Sequence, residues 1–185
     1  MKIVSLNDRA TDVKNADAFL LIADSALGRN GRPFFVPEEY APYECMAAVA
    51  FRITRLGKSI PERFAHRYHD SGSPALMFRS IYASKQDTPS PAYYSFDSAV
   101  IAGEEAKEGD EVVWSLKNND CEVKASISEL FPKLHSGIAA YSQMNMLRMG
   151  DMILIPVATL EAEVTPEMEF RADCGGKELL KVRTK

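Results

Sequence analysis

The stretch Tyr43–Phe78, YECMAAVAFRITRLGKSIPERFAHRYHDSGSPALMF, decides how the rest of the chain is read. Cys45 to Ile53 is a run of small, β-branched and aromatic residues relieved only by Arg52, the composition of a strand covered on both faces. Leu56-Gly57-Lys58 makes a turn. Ser59-Ile60-Pro61-Glu62 then has the form of a capping box: a Ser hydroxyl for the free amides, Pro in the first turn, and Glu three residues on to reach back. Ile60, Phe64, Ala65 and Tyr68 fall at helical spacing and predict the buried face of a short helix, followed by an irregular loop.

Working outward toward the N-terminus, Pro33 to Pro37 is joined through the tight-turn signal Asn30-Gly31 to a strand candidate at Ala18–Ile22. Asn7 to Asp17 is polar and turn-like, and Met1 to Leu6 predicts a further short strand. Toward the C-terminus, Ser80 to Ser95 is polar and Pro-rich, an exposed loop of the length that often forms a lid. Ser98 to Gly103 is apolar. Gly109-Asp110 precedes the alternating strand Glu111–Leu116, and Lys117–Asp120 turns it into Cys121–Ala125, predicting a hairpin. Ser128 to Gln143 is helical, with Leu130, Leu134, Ile138 and Tyr141 on one face, Pro132 in the first turn and Gly137 as a weak point. Gly150-Asp151 turns the chain into a buried strand at Met152–Val157, and the chain ends in a hairpin around Gly175-Gly176. With no internal repeat and no linker, residues 1–185 read as a single domain.

Composition narrows the function classes. Hydrophobic residues make up 46% and charged residues 26% of the chain, values of a globular protein with a real core. The net charge is −4 and there is no basic block, which argues against a nucleic-acid surface. No apolar run approaches the roughly 20 residues of a membrane helix, and Met1–Leu6 is too short for a secretory signal. Cys45, Cys121 and Cys174 are widely spaced and odd in number, so they read as reduced thiols, and the expected location is the cytoplasm.

The order strand, Arg55-Leu56-Gly57-Lys58, Ile60-Pro61-Glu62-Arg63-Phe64-Ala65 and a Tyr-x-Asp loop resembles the fumarylacetoacetate hydrolase family of metal-dependent hydrolases, isomerases and decarboxylases. Asp24–Leu27, Arg32–Pro37, Phe96–Ile101 and Leu147–Leu154 match that family in order and character, so the resemblance spans residues 1 to 157. It implies an α+β fold, a mixed β-sheet rolled on itself with two short peripheral helices, and a homodimer. It also implies a Mg²⁺ or Mn²⁺ site built from a Glu-x-Glu pair on the central strand and an Asp in the loop after the helix. Hard ions of this kind take oxygen ligands and leave positions open for a keto acid, and carboxylates at i and i+2 share one strand face.

Carried over residue by residue, the two glutamate positions fall on Met46 and Ala48, and the aspartate position falls on Met77. A two-residue insertion would place Glu44 at the first, leaving Met46 at the second. A thioether does not suit a hard dication. The family's catalytic His falls near Thr11, its Arg at Ile81, its Lys at Tyr94, and its Thr-Gly-Thr-Pro turn is shortened to Ile155-Pro156-Val157. The expectation is therefore a diverged member with no metal, no cofactor and no catalytic residues, whose pocket is lined by Met46, Ala48, Met77, Ile81 and Tyr94. Such a protein would bind a small ligand or a paralogous subunit. The alternative is a Mg²⁺- or Mn²⁺-dependent hydrolase, decarboxylase or isomerase of 2-keto acids or acylpyruvates, drawing ligands from Glu44, Asp70 or another chain.

Other side chains carry weaker signals. His66 and His69, three apart, have a spacing that suits a metal pair, but read more simply as a solvated and a half-buried histidine; His135 has no partner visible in the sequence. Met144, Met146, Met149 and Met152 cluster, and are expected to fill the core. Glu104–Glu108 reads as a solvated loop. Tyr93-Tyr94 either lines a remodelled pocket or belongs to an exposed loop.

Overall fold

A computed structural model describes residues 1–7, 18–85, 89–107, 111–118 and 121–185. Thr11, most of the Asn7–Asp17 segment, residues 86–88 of the Ser80–Ser95 loop, the Gly109-Asp110 turn and the Asn119-Asp120 corner lie outside the described residues.

The strands, in chain order, are β1 (Ile3–Leu6), β2 (Phe19–Ile22), β3 (Leu27–Arg29), β4 (Tyr43–Arg52), β5 (Ser73–Ser80), β6 (Val100–Ala102), β7 (Glu111–Leu116), β8 (Glu122–Ser126), β9 (Met152–Glu161), β10 (Glu169–Cys174) and β11 (Lys177–Arg183). One α-helix, α1 (Phe131–Met144), joins several 3₁₀ turns. A seven-stranded sheet has the order β2-β1-β9-β4-β5-β6-β3, and a four-stranded sheet the order β11-β10-β7-β8. The β1–β9 and β3–β6 pairs are parallel and the others antiparallel, giving a mixed, curled α+β architecture.

β4 stands at the centre of the larger sheet, and the two-residue period of its side chains creates two cores. Cys45, Ala47, Val49 and Phe51 face the larger core, which the smaller sheet and α1 close. Trp114 on β7 is fully buried there and its Nε1–H donates to the Ala75 carbonyl at 3.1 Å, so the indole is packed and hydrogen-bonded between the sheets. Phe34 stacks on Phe78 at 4.0 Å, and Phe78 meets Phe170 edge-on at 5.8 Å. On α1, Leu134, Ile138 and Tyr141 are buried as their spacing predicts. Gly137 is there for a close approach: a Cβ would lie 3.1 Å from the Leu6 side chain.

Three expectations are corrected. The segment after the Gly57 turn is a 3₁₀ helix, Glu62–Arg67, and no capping box forms. Pro61 caps it without a side-chain bond, while Ser59 takes φ +51° and donates its N–H to Ser142 O on α1. A tertiary contact has claimed the residue that would have capped. The second correction is to helix type: helical segments stand at both expected places, and of these α1 is the one α-helix among the described residues. The third concerns the methionines. Met144 is 78% exposed and Met149 77%, Met146 is also exposed, and Met152 alone is buried. After α1 the chain passes outside the core, and Leu147, bridged to Gly57, is the residue it turns inward.

Glu169 on β10 is 5% exposed, covered by cations rather than by apolar core. Arg183 Nε lies 2.6 Å away, Arg171 donates through Nε and Nη2, and Lys181 and Lys117 complete the ring. Hydrogen bonds from Arg171 and Arg183 hold its carboxyl down from 4.5 to about 2. A depressed carboxyl contributes stability above its unfolded value and loses it as pH falls toward the folded one. The thermal midpoint should therefore drop as pH is lowered from 4.5 to about 2, and Glu169→Gln should remove that component. Superimposable pH curves for the two proteins would contradict this assignment.

Candidate functional site

The other face of β4 carries Met46, Ala48 and Ala50. Met77 on β5 lies directly across from Met46, and Ala75 across from Ala48. Ile3 from β1, Ile22 from β2, Met152 and Leu154 from β9 pack onto them, and Tyr94 closes the cluster from the turn after Pro91–Tyr93. Met46 is 3% exposed, Ala48 and Met77 are fully buried, and Tyr94 is 5% exposed. Burial pushes the Tyr94 phenol up. Four of the five residues expected to line a pocket are thus brought together as an apolar cluster. Ile81, half-buried beyond the end of β5 with its N–H on Pro42 O, stands outside it. Tyr94 belongs to this cluster rather than to an exposed loop, while Tyr93 lies beside Tyr40 and Tyr82.

Ile155-Pro156-Val157 lies inside β9 as continuous strand. The pairing steps from Ala47↔Ala158 to Ala48↔Pro156, so Val157 is the extra residue of a bulge beside Ala48. The strand that sequence reading ends at Val157 runs on to Glu161 because β4 continues to offer it backbone partners.

Glu44 faces Arg79 across the β4–β5 ladder. Arg79 Nε donates to Glu44 Oε1 at 2.5 Å, and the two side chains are 7% and 12% exposed. The carboxylate is thus held by a guanidinium.

Asp70 is engaged differently. Its Oδ1 accepts from the Arg52 N–H at 2.9 Å and the Gly72 N–H at 3.2 Å. Burial raises its pKa against those hydrogen bonds, and Glu105 adds to the rise. Asp70 borders a cleft of about 230 Å³ with Arg29, Asn30, Arg52 and Ser73, on the Ala50 side of β4. Among the described residues, no group of three or more His, Cys, Asp or Glu side chains is placed to hold a metal ion. Cys45 is fully buried, and that burial pushes its thiol well up, away from the reactive thiolate.

The three histidines converge on the opposite face of β4. His66 is exposed and His69 half-buried, as read. His135 does have a partner: its Nε2 lies 3.0 Å from His69 Nε2. His135 stacks on Phe131, and His69 meets Phe51 edge-on. Burial lowers the His135 pKa, helped by His69 and His66 and opposed by Glu62. The pair joins residues 66 apart in the chain, so no local spacing could have announced it.

Comparison with known proteins places the fold. No family model matches the chain, and no curated protein matches it. Solved structures do match along its whole length. A protein assigned to the fumarylacetoacetate hydrolase family from Yersinia pestis CO92 superimposes with a TM-score of 0.80 at 14% identity, covering 100% of this chain and 93% of that one. The 5-carboxymethyl-2-hydroxymuconate delta-isomerase of Mycobacterium smegmatis gives 0.78 at 14% identity, with 99% and 78% covered. The fumarylpyruvate hydrolase of Pseudomonas aeruginosa, solved with Mn²⁺ and pyruvate, gives 0.75 at 16% identity, with 99% and 88% covered. The chain therefore has the fold shared by fumarylacetoacetate hydrolase family proteins, hydrolases and isomerases among its structural neighbours.

Proposed function

We propose that this chain is a diverged protein of the fumarylacetoacetate hydrolase fold that does not carry out metal-dependent chemistry at the position the family resemblance indicates. Its role would be to bind a small molecule or to pair with a second copy or a paralogous subunit. The observation that carries the reading is the packing of Met46, Ala48, Met77 and Tyr94 into one buried apolar cluster. A hard dication needs several oxygen ligands and some retained water. These side chains offer thioethers, a methyl and a phenol that burial keeps protonated. The nearest carboxylate along β4, Glu44, is already engaged by Arg79. A small ligand would occupy the cleft beside Asp70, where Arg29 and Arg52 favour an anion.

The test is a titration of the chelator-stripped protein with Mg²⁺ and Mn²⁺, following heat and thermal midpoint. An ion bound only by the folded state must raise the midpoint by mass action. The expected result is no rise with Mg²⁺ up to about 1 mM, a dissociation constant that would already give measurable free energy, and no Mg²⁺-dependent turnover of acylpyruvates or oxaloacetate. Tight binding at one site per chain with turnover would refute the reading.

One observation favours the enzyme reading instead. Asp70 beside Arg52 in the same cleft combines a carboxyl that burial protonates more readily with a guanidinium able to hold a keto acid's carboxylate. In that case a 2-keto acid would turn over with Mg²⁺ or Mn²⁺, and Asp70→Asn would abolish the turnover.

A further inference from the structure

We propose that His69 and His135 form a two-histidine site for a borderline transition-metal dication, Zn²⁺, Ni²⁺ or Cu²⁺, that clasps α1 to the segment following β4. The site is separate from the family position. His69 lies just beyond the 3₁₀ helix and is bridged to Ile53. It packs against Phe51, which points away from the Met46 cluster.

His69 Nδ1 lies 2.6 Å from the Asp70 carbonyl oxygen, which can only accept, so Nδ1 carries the hydrogen. In neutral His69 the lone pair is therefore on Nε2, and it points at His135 Nε2 only 3.0 Å away. A histidine whose second nitrogen donates to a backbone carbonyl is oriented and tautomer-locked as metal-bound histidines are. Here that outer contact is already in place. His135 Nε2–H now fills the position between the two nitrogens.

A dication can replace that proton. With metal–nitrogen distances of about 2.0–2.1 Å, two cis imidazole nitrogens stand about 2.8–3.0 Å apart at a right angle and about 3.3–3.4 Å apart at a tetrahedral angle. The observed 3.0 Å separation falls at the lower end of that span, so the rings need mainly to tilt until their lone pairs converge. The His135 proton moves through solvent from Nε2 to Nδ1, so the imidazole stays neutral, no proton is released and the ion brings its full double charge to the site.

Imidazole nitrogen selects Zn²⁺, Ni²⁺ or Cu²⁺ over Mg²⁺. Water completes the coordination, because His66, with its ring 6.5 Å from that of His135, is not placed as a third ligand. Glu62 adds a favourable negative charge on the solvent side.

The experiment titrates the chelator-stripped full chain with Ni²⁺ and Zn²⁺, with Mg²⁺ as control. It reads heat, thermal midpoint and the imidazole nitrogen resonances of the unmodified protein. One equivalent should bind, shifting the Nε2 resonances of His69 and His135 and raising the midpoint. His135→Ala should weaken binding by about tenfold or more, the scale of losing a metal-site contact. His66→Ala should leave it within about threefold, a difference of under 1 kcal/mol.

Absence of saturable binding by about 1 mM of either ion, or resonance shifts confined to His66, would overturn the proposal. Because the unmodified protein supplies the resonances, a variant that fails to fold does not decide the outcome. The result also stands apart from the previous reading. Mn²⁺ binding that survives His135→Ala counts against the non-catalytic role, whereas loss of Zn²⁺ binding on His135→Ala bears only on this site.

Discussion

Ala48→Glu is expected to lower stability by about 5–7 kcal/mol at pH 7, as much as the whole stability of a domain at the low end of the usual range of about 5–15 kcal/mol. Ala48 is fully buried, with Met46, Met77 and Leu154 in the same apolar cluster. A carboxyl at this position must stay protonated, which costs about 1.4 kcal/mol for each pH unit above its normal value near 4.3, or roughly 4 kcal/mol at pH 7. Overpacking a filled site adds about 1–3 kcal/mol. The first of these contributions has a signature: the deficit in denaturant unfolding should shrink by about 2–3 kcal/mol between pH 7 and pH 5. Magnesium should not restore the fold. A stable variant that binds Mg²⁺ would mean that this face retains a metal pocket, and the non-catalytic reading would fall with it.

Arg79→Met should cost about 3–5 kcal/mol, because it leaves the Glu44 carboxylate nearly buried and without its guanidinium. Replacing both partners, Arg79→Met with Glu44→Leu, should recover most of that loss, since a well-packed apolar pair often matches or exceeds a buried ion pair. The measurement is a double-mutant cycle by urea unfolding. A single-variant loss below about 1 kcal/mol would show that the pair behaves as an exposed one. It would also free Glu44 to be considered again as a ligand.

The regular elements were legible because their signals are local. The β-branched and small residues of Cys45–Ile53 announced a strand covered on both faces, and β4 is one. The alternation of Glu111–Leu116 became the exposed and covered faces of β7, whose pairing with β8 closes the expected hairpin. The face of Leu134, Ile138 and Tyr141 set the buried side of α1. Local patterns suffice wherever one backbone period and one covering layer decide burial.

The capping box at Ser59 and the methionine cluster misled because each has a local meaning that a distant contact overrode. Ser142 on α1 takes the Ser59 amide, and Leu147 rather than its methionine neighbours turns toward Gly57. The family resemblance implied that Met46, Ala48 and Met77 stand where a metal would be expected. Only the folded sheet decided what those side chains do. β5 lays Met77 across from Met46, β9 passes Pro156 beside Ala48 through a bulge, and Tyr94 closes the cluster from a separate turn. The same holds for Glu44 with Arg79 and for His69 with His135, pairs that strand register and helix docking bring within hydrogen-bond distance. A residue's type limits the chemistry it can offer, but its partner is set by which strands and helices the cores bring together.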